Sequence, residues 1–208
     1  APKVGSDCIV AHVRAASVGG VAEANCHPFQ FKDRLLMHNG GLEHFARIKR
    51  DLCNRLSEEM YGWVKGQTDS EHLFALMLNH LEEKHPTPDQ VADAFEEMIA
   101  DLKQLMRDHA ITEPAFLNMV YTDGRIVVGL RSVTDRSAAL TMYYSEGKKY
   151  VCTDNVCHMV RSADKREHAA MIVSEKLTDI AEDFMEVPAH HFVLVDADLS
   201  VRLRAVKG

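Results

Sequence analysis

The order of local signals along this 208-residue chain predicts a single α+β domain. Two short apolar runs rich in β-branched and large aliphatic residues come first, and three helical patterns fill the middle. From residue 115 onward the apolar period falls from about 3.6 to 2 and stays there. Apolar residues make up 46% of the chain, enough to fill a core between layers. No linker, internal repeat or low-complexity tract divides it.

Taken in order, CIVAHV at 8–13 reads as a buried strand and RLLMH at 34–38 as a second, broken by Gly40-Gly41. LEHFARIKRDLCNRL carries apolar residues at 42, 45, 48, 52 and 56, one face of a helix. Gly62 and Gly66 flank a loop ending in QTDSE, where Thr68 or Asp69 can cap the next helix. Glu71 stands three residues after Thr68, as in a capping box. That helix, DSEHLFALMLNHLEEK, is apolar around most of its circumference and should lie deep. HPTPDQ is a turn with a proline at the next helix start. The long helix VADAFEEMIADLKQLMRDHA aligns positions 91, 95, 98, 102, 105 and 109. AFLNMVYTDGRIVVGLRSV is a hairpin with Asp123-Gly124 at its tip. LTMYYS, KKYVCT, AAMIVS, HHFVLVD and SVRLRAV are further strands, the last two joined by a tight turn at residues 196–199.

The formal net charge of -7 argues against nucleic acid as the main partner. No apolar run approaches the roughly 18 residues of a membrane-spanning helix, and APKVGSDC has no signal-peptide character. These features fit a cytoplasmic protein without a membrane partner. Five cysteines, an odd number, are no disulfide framework. Cys152, Cys157 and His158 match no common zinc spacing, so neither a metal nor another cofactor is expected.

The chemistry concentrates in the first third. A side-chain amide at Asn39 and a backbone N–H at Gly40 can converge on one oxygen as an oxyanion hole, Gly40 allowing close approach and an unusual φ. A plain strand-to-helix turn is the competing reading of Asn-Gly. Arg14 ends an apolar run and can hold a carboxylate with two parallel bonds, or make a surface salt bridge. Asp69, at the mouth of a buried helix, can hold an ammonium group or cap the helix. Arg14 and Asp69 together would bind both charged ends of an α-amino acid.

HVRAAS, NCHPF, HNGG and GQTDSE, in this order and spacing, resemble the glutaminase domain of class II glutamine amidotransferases. These are N-terminal-nucleophile hydrolases. VSEKLT and EVPAHHFVLVD extend the resemblance toward the branch that includes the amidotransferase-like subunit of a fungal glutathione-degradation complex. The resemblance covers nearly the whole chain, taken as one amidotransferase domain over 1–208. It implies a four-layer αββα sandwich. It implies hydrolysis of a γ-glutamyl amide, with glutamine, glutathione or another γ-glutamyl compound as substrate. Arg14, with Ser17 beside it, would hold the α-carboxylate, and Asp69 the α-amino group. Asn39 and Gly40 would form the oxyanion hole, and His27 would order a loop near the site. A metallopeptidase-like protein partner is also implied.

One departure bears on catalysis. The family's nucleophile is a cysteine at the mature N-terminus whose own amine acts as base, and this chain starts Ala1-Pro2-Lys3. Cys8 lies inside the run leading to Arg14 and has no free amine, and Cys26 belongs to NCHPF. The expectation is therefore a sandwich without its first strands, the nucleophile segment lying outside this sequence. A processed protein or a non-catalytic structural or regulatory subunit are the alternatives.

Overall fold

The computed structural model describes residues 6–13, 22–135, 137–153, 156–161, 168–178, 180 and 182–207. A single turn of 3₁₀ helix at Glu23–Asn25 leads into a short strand, β1 (Phe29–Phe31), and then β2 (Arg34–Leu42). Four helices follow: α1 (Phe45–Asn54), α2 (Glu58–Trp63), α3 (Asp69–Asn79) and α4 (Pro88–Asp108). The rest is strand: β3 (Ala115–Thr122), β4 (Val127–Val133), β5 (Tyr143–Thr153), β6 (Val156–Arg161), β7 (Ala169–Val173), β8 (Met185–Glu186), β9 (His191–Val195) and β10 (Val201–Ala205).

Among the described residues all strand pairings are antiparallel. One sheet has six strands in the order β1-β2-β3-β4-β9-β10, and the other has β6-β5-β7 with β8 beside β5. Alternation along the strands sorts their side chains. Leu36, Leu117, Met119, Tyr121, Val128, Leu130, Phe192 and Leu194 line one face of the large sheet and are fully buried beneath the helices. Val120, Val127, Val193 and Val195 line the other, against Tyr144 and Ile172 of the small sheet and against Met142 and Val187. The described residues thus give a helical layer, a six-stranded sheet and a second sheet packed on it.

The strongest sequence patterns became the deepest elements. Residues 69–78 of α3 are all buried. On α4, Val91, Phe95, Met98, Leu102 and Leu105 form the buried stripe. Pro88 opens α4, where Thr87 and Gln90 complete a reciprocal capping box. The β3–β4 hairpin turns at Gly124 (φ +83°), with the Asp123 carboxylate accepting the N–H groups of Arg125 and Ile126.

Four local expectations change. Residues 8–13 form no strand: Ile9 and Val13 are 69% and 99% exposed. A strand persists through its ladder, and no strand among the described residues pairs with this segment. Gly40 and Gly41 do not break β2; they continue it, opposite Leu117 and Phe116 of β3. A helix that the sequence patterns do not predict, α2, takes in Gly62, so the loop starts only after Trp63. The runs at 140–145 and 148–153 fuse into β5, with an irregularity between Ser145 and Lys148 where Gly147 takes φ +64°.

Candidate active site

β2 places its residues on two faces. His38 points to the helical layer and Asn39 to the space between the sheets. Asn39 and Gly40 are exposed, although both sit inside the strand. The Asn-Gly pair is therefore an exposed stretch of strand and not a strand-to-helix turn. Gly40 is required for space and not for φ, since only Gly124 and Gly147 among the described glycines have positive φ. A Cβ on Gly40 would stand 2.0 Å from the Phe116 carbonyl oxygen and 2.7 Å from His38 Nε2.

Asp69, the first residue of α3, comes to this same strand end. Its Oδ2 accepts the Leu42 N–H at 2.8 Å, and its Oδ1 accepts the Ser70 N–H at 2.9 Å. Thr68, the residue before it, caps the helix through the Glu71 N–H. The reciprocal half of the box is absent. The Glu71 carboxylate instead accepts the N–H groups of Lys65 and Gly66, at 2.9 and 2.7 Å. The GQTDSE loop is thus folded back onto its own helix. Asn25 Oδ1 accepts the Gln67 N–H at 3.0 Å, which ties this loop to NCHPF.

His38 fixes α3 to β2. Its Nε2 lies 2.9 Å from the Phe116 carbonyl, which can only accept, so Nε2 carries the proton and Nδ1 accepts from the Ser70 hydroxyl at 2.9 Å. Burial lowers its pKa from the ordinary value, against the opposing pull of the Asp69 charge and the Phe116 carbonyl. A neutral imidazole results. His27 packs against His12 with the rings tilted by 37° (4.3 Å between centroids) and edges onto Phe29 (4.7 Å), linking the 6–13 segment to the NCHPF loop. A cleft of about 400 Å³ starts at Leu42 and continues past Phe45, Lys49 and Gln67.

The structure thus brings Asn39, Gly40 and Asp69 to one end of β2. Arg14 and Ser17 lie outside the described residues, as do the side chains of Cys152, Cys157 and His158. Cys8 Sγ lies 3.6 Å from Thr122 Oγ1, and the Cys26 thiol is exposed and donates to the Ala22 carbonyl. Among the described residues no three or more His, Cys, Asp or Glu side chains are grouped to hold a metal. No helix among them is long and apolar enough to cross a membrane. His38, Ser70 and Asn25 are not singled out in the sequence, and Glu71 is singled out only as a capping-box glutamate. Their one visible signal is position, since each is adjacent to or inside HNGG, GQTDSE or NCHPF.

This arrangement belongs to a known class. The family described as "Glutamine amidotransferases class-II" matches residues 1–206, and the chain is a member of it. Among curated relatives, it is similar to the probable glutamine amidotransferase DUG3 of Saccharomyces cerevisiae. The two are 34% identical over 209 residues, covering 94% of this chain and 58% of that protein. It is also similar to the putative glutamine amidotransferase YafJ of Escherichia coli, at 31% identity over 125 residues, 58% of this chain and 43% of that protein. The chain therefore spans about half the length of these relatives. Among solved structures, the glutamine aminotransferase class-II domain protein of Silicibacter pomeroyi superposes with a TM-score of 0.68. It is 27% identical and covers 90% of this chain and 74% of that one. The glutamine phosphoribosylpyrophosphate amidotransferase of Bacillus subtilis shares the fold, with a TM-score of 0.53 at 16% identity, covering 94% of this chain and 34% of that one.

Proposed function

We propose that this domain hydrolyses a γ-glutamyl amide, with glutamine, glutathione or another γ-glutamyl compound as substrate. The observation that carries the reading is the placement of Asp69 beside the Asn39–Gly40 strand end. Leu42 gives its N–H to Asp69 and not to β3. In the alternation of an antiparallel ladder, Gly40, two residues back, turns its N–H to the same edge. Two residues of strand span about 7 Å. That is comparable to the four bonds between the γ-carbonyl carbon and the α-nitrogen of a γ-glutamyl group. An oxyanion at Gly40 and an ammonium at Asp69 are thus mutually in reach of one substrate.

In this reading the nucleophile is an N-terminal cysteine that is none of the five in this chain. Its amine takes the thiol proton, the sulfur bonds to the γ-carbonyl carbon, and the proton passes to the departing nitrogen as the C–N bond breaks. Water then attacks the thioester, the C–S bond breaks and glutamate leaves. The Asn39 amide and the Gly40 N–H stabilise both oxyanions. Arg14 and Ser17 hold the α-carboxylate, and His27 orders the NCHPF loop. A metallopeptidase-like partner and a cytoplasmic location belong to the same reading.

Steady-state kinetics on the full-length protein tests it. Asn39→Ala should lower kcat by about 10²–10³ with little change in KM, because the oxyanion exists only after attack. Arg14→Ala and Asp69→Asn should mainly raise KM, because the groups they hold are charged throughout. Equal KM effects with unchanged kcat in all three would remove Asn39 from the oxyanion role. A wild type inactive on every γ-glutamyl compound would leave a non-catalytic subunit.

A further inference from the structure

Asn39 heads a row of directly paired residues across the large sheet: Asn39 on β2, Asn118 on β3, Arg131 on β4 and His191 on β9. Directly opposed side chains share a face and stand about 5 Å apart at Cβ. Asn118 is 3% exposed, and its amide is locked on one side. Nδ2 donates to the carbonyls of Leu140 at 3.2 Å and Thr141 at 2.8 Å. Those two acceptors also settle which end is nitrogen and which is oxygen. Arg131 braces the same segment, its Nε donating to the Leu140 carbonyl at 2.7 Å. Among the described residues the buried Asn118 Oδ1 has no hydrogen-bond partner. A buried acceptor left unsatisfied is costly, so a donor within reach is favoured to fill it. Its cross-strand neighbour Asn39 carries an amide with two N–H groups.

We infer that Asn118 is a positioning residue for the oxyanion hole: in the complete protein the exposed Asn39 amide turns so that Asn118 Oδ1 accepts one Nδ2–H, which aims the other at the developing oxyanion. This rests on the γ-glutamyl hydrolase reading above. An Asn39 amide free to rotate presents its donor only part of the time. One held from behind by a rigid acceptor is preorganised, and misplacement of a catalytic group by about 1 Å can cost about 10²-fold in rate. Asn118 itself touches neither substrate nor nucleophile.

A double-mutant cycle in the full-length protein tests the inference, with Asn118→Leu, Asn39→Ala and the pair. Leu keeps the volume and removes the acceptor. Asn118→Leu should lower kcat by about 10- to 100-fold with KM little changed. In the Asn39→Ala background it should do almost nothing, because the group it positions is gone. A loss that multiplies fully with Asn39→Ala, or one that falls on KM, overturns the inference and leaves Asn118 a structural residue. If Asn118→Leu does not fold, the wild-type crystal structure decides instead. An Asn39 Nδ2 to Asn118 Oδ1 distance of hydrogen-bond length supports the inference, and an Oδ1 taken by water with Asn39 turned away overturns it. Absence of wild-type activity on any γ-glutamyl compound is a different failure. It removes the hydrolase reading and the inference with it.

Discussion

His38 shows how one buried residue couples the site to stability. The imidazole is held between the Ser70 hydroxyl and the Phe116 carbonyl, in a place where burial disfavours its charge. Its folded pKa lies below the ordinary 6.5 that it keeps when unfolded. The unfolded chain therefore binds the proton first as pH falls. The neutral form's contribution is complete above pH 6.5 and is lost as pH drops below that value toward the folded pKa. His72, lowered chiefly by burial as well, adds in the same direction. Urea midpoints should therefore rise between pH 5 and pH 7, and His38→Gln should show a shallower rise. An identical slope in that variant would mean that His38 does not carry this dependence.

At the scale of elements, the caps decide how the site is presented. α3 starts at Asp69 because Thr68 takes the Glu71 N–H, and the loop before it is shaped because the Glu71 carboxylate takes two more backbone donors. Gly66 fits there because a Cβ would meet the Ala24 carbonyl at 2.6 Å and Asn25 Oδ1 at 2.7 Å. Glu71→Ala leaves two backbone N–H groups without their acceptor, a loss of about 2–3 kcal/mol. Thr68→Ala removes one cap bond, about 1 kcal/mol. Denaturant titration should rank them in that order, and Glu71→Ala should also raise KM by loosening the loop that holds Asp69. The reverse ranking would show that Glu71 is not what shapes the loop.

The same elements show what the sequence made legible. The periods of α3, α4 and the β3–β4 hairpin were readable because each is a local pattern satisfied by a local element. The second half of the capping box was misleading, since S/T-x-x-E spacing does not say whether the glutamate returns to its own helix or turns to a neighbouring loop. The continuation of β2 through Asn39, Gly40 and Gly41 was hidden for a related reason. Two glycines read as a break until β3, which sets Leu117 opposite Gly40 and Phe116 opposite Gly41, supplies the pairing. Asn118 was invisible as a site residue because only the β2–β3 register puts it beside Asn39.

At the scale of the whole molecule, the last strand is clamped to the helical layer by charge. β10 is an edge of the six-stranded sheet, and an edge strand needs cover or charge to avoid pairing elsewhere. Arg202 and Arg204 reach Asp89 on α4. Arg204 also meets Asp93 at 2.5 Å and Glu96 at 2.8 Å, and Lys207 joins the last two. Arg204 lies over the Phe192 ring at 5.7 Å and is 17% exposed, against 44% for Arg202. Arg204→Ala therefore removes packing as well as charge, and should cost about 1–2 kcal/mol. Arg202→Ala, an exposed pair, should cost no more than about 0.5–1 kcal/mol. Asp93 is held below its ordinary 3.8 chiefly by Lys207 and Arg204, and Asp89 chiefly by Arg202. A depressed carboxylate contributes its stability above the unfolded value and loses it as pH falls through the folded one. The gap between wild type and Arg204→Ala should accordingly narrow below pH 3.8 toward what packing on Phe192 alone supplies. Urea unfolding of both proteins at pH 7 and pH 3 measures this. A gap that stays constant would assign the clamp to packing and leave its ion pairs without weight.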